Sequence, residues 1–146
     1  LGKLSKQVGY KINDSGYVYD KNTMVPMEGY RPDKIIIAMG TNQFWSETMD
    51  AVEEYYKCLK EVYGDTPVLC VSPIWRGDCP DRFDVFERFC DNVKKIAGQY
   101  PNVTVVDGFT MVPHLEEYYL DKLHPNCLGT EHYGRCLIEA IKKAGF

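Results

Sequence analysis

The residues best suited to chemistry lie near the C-terminus, in Asp121-Lys122-Leu123-His124-Pro125-Asn126. An Asp three residues ahead of a His can hold one imidazole tautomer and stabilise the imidazolium that forms when the His takes a proton. That is half of a hydrolytic triad. A second candidate is Gly40-Thr41-Asn42-Gln43, which follows an apolar run. Gly40 allows a sharp backbone turn. The Asn42 side-chain amide can then donate to a developing oxyanion, a role whose loss typically costs about 10²–10³-fold in kcat. A turn asparagine bonding its own backbone is the alternative reading of Asn42. His114 and His132 have no evident partner and read as structural or surface residues. No known ligand spacing supports a metal site built from His114, Asp121 and His124.

The nucleophile is harder to find. The serines are Ser5, Ser15, Ser46 and Ser72. Asn13-Asp14-Ser15-Gly16 sits in the turn after the first visible strand. Ser5, Ser46 and Ser72 read as a helix residue, a helix N-cap and a strand end. Of the cysteines, Cys58 falls mid-helix and Cys70 falls within a strand, away from its edge.

The elements that must position these groups are legible in outline. Lys34–Met39, Pro67–Pro73 and Val103–Gly108 are continuous apolar or β-branched runs, the pattern of strands covered on both faces in a parallel sheet. Between them, Met49, Val52, Tyr56, Leu59 and Tyr63 recur at helical spacing, with Ser46 as the expected N-cap. Phe83, Phe86, Phe89, Val93 and Ile96 mark a second helix. Tyr133, Leu137, Ala140 and Ile141 mark a third, ending near Gly145. The alternation β-α-β-α-β-α implies a three-layer α/β sandwich. Upstream, Leu1, Leu4, Ser5 and Val8 resemble a helix end closed by Gly9. Tyr10-Lys11-Ile12 then forms a short strand, with a helix expected directly after Gly16. In open parallel sheets ligands bind beyond the carboxyl ends of the strands. That edge collects Ser15-Gly16, Gly40–Gln43 and Asp121–His124.

Bulk properties narrow the function. The 146 residues are 45% hydrophobic and 26% charged, which fits one globular domain able to bury about two thirds of its unfolded surface. Net charge is −4 with no basic stripe, so nucleic acid is not an expected partner. No apolar run reaches the roughly 20 residues of a membrane span, and residues 1–20 lack the apolar core of a signal peptide. The six cysteines include no C-x-x-C spacing and read as small buried hydrophobes. Cys79 with Cys90, or Cys127 with Cys136, could pair in an oxidising compartment.

Taken together, "RPDKIIIAMGTN", "PVLCVSPIW", "VTVVDGF" and "DKLHPNCLGTEHYGRCL" resemble the SGNH (GDSL-type) hydrolase superfamily. "GTN" is similar to its third block, Gly-x-Asn-Asp, with Gln43 in place of the Asp. "DKLHP" is similar to its fifth block, Asp-x-x-His-Pro. "LSKQVGYKINDSG" is similar to the segment that follows the nucleophile and carries the second-block glycine. The resemblance implies a flavodoxin-like parallel sheet of order 2-1-3-4-5. It makes His124 the general base, Asp121 its orienting carboxylate, and Asn42 and the Gly16 backbone N–H oxyanion donors. Gly40 and Trp45 are the expected substrate-side neighbours. It calls for no cofactor. The implied reaction is hydrolysis of a small-molecule acyl ester, with an acetylated sugar as one substrate class. Phe44, Trp45 and Trp75 could stack on such a sugar or simply pack the rim.

The first block, Gly-Asp-Ser, has no counterpart: the Ser15 match stands where the second block belongs. The expectation is therefore that the nucleophile and the first strand lie upstream of Leu1. The gap left in the sheet would be filled by another chain, by a swapped copy in a homo-oligomer, or by direct pairing of the first visible strand with the Ile-rich one. Two other classes compete with the esterase: a non-catalytic α/β module and a nucleotide-binding flavodoxin-like domain. No Gly-rich phosphate loop follows any strand to favour the latter.

Overall fold

The structure is a computed structural model. It describes the backbone of residues 11–13 and 16–18, and residues 31–42, 44 and 49–146 in full. The expected N-terminal helix end, Ser5, Ser15, Gln43, Trp45 and Ser46 lie outside the described residues.

Three strands form a parallel sheet in the order β3-β4-β5: β3 Ile35–Ala38, β4 Val68–Val71 and β5 Val103–Val106. Ile37 lies beside Cys70, and Cys70 beside Val105, so the register is level across the sheet. Every residue of central β4 is buried. Its side chains alternate between faces, as strand geometry requires. Val68 and Cys70 join one apolar cluster and Leu69 and Val71 another.

The first cluster is thick. Helix α1 (Asp50–Tyr63) contributes Val52, Tyr56 and Leu59, and helix α2 (Phe83–Ala97) contributes Phe86, Phe89, Cys90, Val93 and Ile96. The second is thinner: Leu69, Val71 and Met111 are buried, and helix α3 (Cys127–Lys143) lays Tyr133, Leu137, Ala140 and Ile141 over them, partly buried. The three layers expected from the alternation are therefore present, α1 and α2 on one face and α3 on the other. Across the sheet from α1 and α2, Ile36 of β3 remains 52% exposed.

Several expectations need correction. The first visible strand does not pair with the Ile-rich one. Strand β1 (Lys11–Asn13) pairs antiparallel with β2 (Gly16–Val18), Asn13 opposite Gly16. A connection of two residues can join antiparallel neighbours, whereas a parallel pair needs a crossover of a dozen or more. A strand, not a helix, thus follows Gly16 directly, consistent with the β-forming Tyr17 and Val18. Helix α1 starts at Asp50 with Met49 in the cap position and no side-chain cap bond, so Ser46 is not its N-cap. All six cysteines are free. No helix among the described residues is long and apolar enough to cross a membrane.

Candidate active site

The carboxyl ends of β3, β4 and β5 share one edge because the strands are parallel. The loops leaving that edge build the site.

The Asp121–His124 loop is closed by its own backbone. Tyr119 and Pro125 form an isolated antiparallel bridge, and Leu120 N–H donates to the His124 carbonyl at 2.8 Å. Inside this loop Asp121 Oδ1 accepts from Leu123 N–H at 3.0 Å and His124 N–H at 2.7 Å. Asp121 Oδ2 lies 2.8 Å from His124 Nδ1. Lys122, between them, takes a left-handed φ of 65°, which lets the backbone fold around the carboxylate. The His124 backbone N–H, followed by its ring and Leu123 N–H, holds the Asp121 carboxyl at a pKa of about 2, below the usual range. An ionised Asp121 accepts from Nδ1–H, which leaves Nε2 of a neutral His124 as the free acceptor. Both side chains are open to solvent.

The loop runs straight into α3. Asn126 caps that helix, accepting from Gly129 N–H at 3.0 Å while its amide donates to the Glu117 carbonyl at 2.7 Å. A Cβ at position 129 would come within 2.2 Å of the Tyr118 carbonyl oxygen, so only glycine lets the first turn of α3 sit this close. Pro125 therefore precedes the cap rather than opening the helix.

At the end of β3, Gly40 has φ 118°, and an added Cβ would press on Pro73 and Phe89 at 3.1 and 3.2 Å. The turn it makes presents Asn42 exposed at the strand end. Beyond β4, Arg76 is buried and donates to the Thr41 carbonyl at 2.7 Å. Its neighbour Gly77 donates through N–H to the Lys122 carbonyl at 2.7 Å. Tyr119 Oη donates to the Trp75 carbonyl at 3.2 Å. The β4 loop thus lies between the Asn42 turn and the His124 loop and is bonded to both.

The remaining candidates fall elsewhere. Ser72 is buried, donates to Asp107 Oδ1 at 3.1 Å and accepts from Gly108 N–H at 3.0 Å, so its hydroxyl is committed at the base of the sheet edge. Burial pushes the Cys70 thiol up and the Cys90 thiol to about 12, which removes both as thiolates. Gly16 opens β2 in the hairpin and does not stand at the end of a strand of the parallel sheet. His114 stacks on Trp75 at 5.1 Å, and its Nε2 lies 2.9 Å from the Phe109 carbonyl. His132 Nδ1 lies 2.9 Å from the Met111 carbonyl. Each therefore has a loop-carbonyl partner that the sequence did not reveal. Trp75, with His114 on its face and Tyr119 edge-on at 5.1 Å, packs the rim. Among the described residues no group of three or more His, Cys, Asp or Glu could hold a metal ion.

Reading the sequence missed two residues. Asn126 carried a usable signal, an Asn directly before an apolar helical pattern. Arg76 carried only a weak one, an Arg two residues from an Asp in a loop after a strand.

No protein-family model matches the chain, and no curated protein matches it. Solved structures do. The lipase/acylhydrolase from Enterococcus faecalis superposes with a TM-score of 0.62 at 21% identity, over 77% of this chain and 63% of that one. A protein from Streptococcus pneumonia, provisionally described as a platelet activating factor, superposes with a TM-score of 0.62 at 18% identity, over 75% of this chain and 59% of that one. The chain spans less than two thirds of the length of either. With its parallel β3-β4-β5 sheet between helical layers, the chain shares the α/β fold of these two proteins.

Proposed function

We propose that the chain is the base-bearing part of an acyl-ester hydrolase, with His124 as general base and Asp121 as the carboxylate that orients it. The observation that carries this reading is the geometry of the pair: Asp121 Oδ2 on Nδ1 at 2.8 Å, with Nε2 left to work. In the reaction, His124 Nε2 takes the proton of a serine hydroxyl as its oxygen attacks the ester carbonyl. Asp121 stabilises the imidazolium that results. The imidazolium then protonates the departing alcohol, leaving an acyl-serine. Water, deprotonated by the same nitrogen, attacks that acyl group and releases the acid and the serine. The Asn42 amide donates to the oxyanion in both steps.

The serine comes from outside the described residues, and a segment preceding Leu1 is the source that the experiment below probes. Ser72, the one serine among the described residues, is committed to Asp107 and Gly108. Strand β3 is the edge of the described parallel sheet, a place where a further parallel strand could add and bring a serine to the same edge. The same edge in a second copy would give a homo-oligomer. The substrate is a small ester, with sugar acetates as a class to probe.

The test is turnover of p-nitrophenyl acetate by these 146 residues and by a form extended upstream through a Gly-Asp-Ser block. The extended form is expected to be active and to lose that activity with His124→Ala. An extended form that folds yet stays inert would sink the hydrolase and leave a non-catalytic α/β module. Activity of the 146 residues alone, abolished by His124→Ala, would place the nucleophile within them.

A further inference from the structure

The geometry points to Arg76 as a positioning residue that holds the Asn42 turn in place against the Asp121–His124 loop; this rests on the hydrolase reading of those two parts. Three consecutive residues make the connection. The Trp75 carbonyl accepts from Tyr119 Oη, Arg76 reaches the Thr41 carbonyl, and Gly77 N–H donates to the Lys122 carbonyl. Thr41 is the residue before Asn42, and Lys122 lies between Asp121 and His124. One tripeptide therefore bonds to the backbone of both halves of the site.

Arg76 has the chemistry for this. Its Nε and Nη2 donate to the two carboxylate oxygens of Asp78 at 2.7 and 2.5 Å, a fork-to-fork pair, and Nη1 remains for Thr41. The pairing holds the Asp78 carboxyl below its usual range and raises the guanidinium. The guanidinium carbon lies 4.9 Å from the Phe44 ring centre and 5.9 Å from that of Phe86. A group only 3% exposed, held by three hydrogen bonds to Asp78 and Thr41 and by two rings, has little freedom to move. Lysine cannot reproduce this, because a single ammonium has no planar fork to span Asp78 and Thr41 together. A misplacement of about 1 Å at a catalytic donor costs up to about 10²-fold, so the stiffness of this link bears on rate while the dyad keeps its own geometry.

The experiment is a double-mutant cycle in the extended, serine-containing protein, using Arg76→Gln and Asn42→Ala with p-nitrophenyl acetate. Arg76→Gln is expected to lower kcat by up to about 10²-fold at nearly constant KM. Asn42→Ala should then cost far less in the Arg76→Gln background than in the parent, because the donor it removes is already displaced. Arg76→Lys should recover part of kcat and serves where Arg76→Gln fails to fold. Equal costs of Asn42→Ala in both backgrounds, or unchanged kcat in folded Arg76→Gln, overturn the inference while His124→Ala still abolishes turnover. If turnover is absent or survives His124→Ala, the hydrolase reading is the one that fails. The link is then read in the 146-residue chain by nuclear magnetic resonance of the Asn42 side-chain amide. Its signals should shift in Arg76→Lys with melting temperature little changed; unshifted signals overturn the link.

Discussion

The two halves of the candidate site are positioned in opposite ways. Asp121 and His124 are three residues apart, and the bonds to the Asp121 carboxylate all come from Leu123 and His124, although Gly77 N–H and the Trp75 carbonyl also tie the surrounding loop to the β4 loop. Asn42 owes its place to distant residues: Pro73 and Phe89 against Gly40, and Arg76 against Thr41. The Asp121–His124 pair thus sets its own internal geometry, while the Asn42 turn takes its position from the core beneath it. Damage to the core should therefore reach Asn42 before it reaches His124.

The largest expected effect tests whether the base half acts as a unit. In the extended, serine-containing protein, Asp121→Asn should lower kcat by about 10⁴-fold, because an amide can hold the imidazole in the wrong tautomer and carries no charge to balance the imidazolium. Steady-state kinetics across neutral pH would measure this. A loss of only a few-fold would mean that the carboxylate shapes the loop and contributes little to the chemistry.

Next comes the core under the other half. Phe86 is fully buried, meets Phe44 edge-on at 5.1 Å and lies under the Arg76 guanidinium. Phe86→Ala should cost about 3–5 kcal/mol of stability, read by urea unfolding. In the fraction that stays folded, the downfield Nδ1 proton of His124 should persist unchanged. Its loss alongside the Phe86 substitution would show that the dyad also leans on the core, and the contrast between the halves would collapse. A smaller effect is expected at Asn126, whose side chain caps α3 and ties Glu117 to it. Asn126→Ala should cost about 0.5–2 kcal/mol in the same assay.

The same contrast explains what the sequence could reveal. Strands β3, β4 and β5 were legible because continuous apolar runs bounded by Gly and Pro are a local pattern, and observed ends fall within two residues of those expected. Helix α1 was legible from Met49 to Tyr63 for the same reason, but its start was placed too early at Ser46. Apolar periodicity begins at Met49, and a cap-type residue outside it carries little weight. The Asp121–His124 pair was legible because its spacing is its geometry. Arg76 was not, since its partner Thr41 lies 35 residues back and only the packing of β3 beside β4 brings them together. The β1–β2 hairpin was misread because its short segments fit either a crossover or a hairpin, and only pairing distinguishes them.

The smallest effect is a pH dependence confined to the base half. The Asp121 carboxyl has a pKa of about 2 in the folded chain, lowered first by the His124 backbone N–H. In the unfolded chain an Asp titrates near about 4. A group depressed on folding stabilises the folded state above its unfolded pKa, and that contribution fades as pH falls through the folded value. Wild type and Asp121→Asn should therefore differ by a constant margin above about pH 4 and converge as pH approaches about 2. With both side chains more than half exposed, solvent screens the pair and the margin is small. Denaturant unfolding of the two proteins between these pH values measures it. A margin that disappears instead between about pH 6 and 7, where histidines titrate, would mean that stability comes from an Asp121–imidazolium pair. Backbone bonds to the carboxylate would then be the lesser part, and the base half would not be built in the way its hydrogen bonds imply.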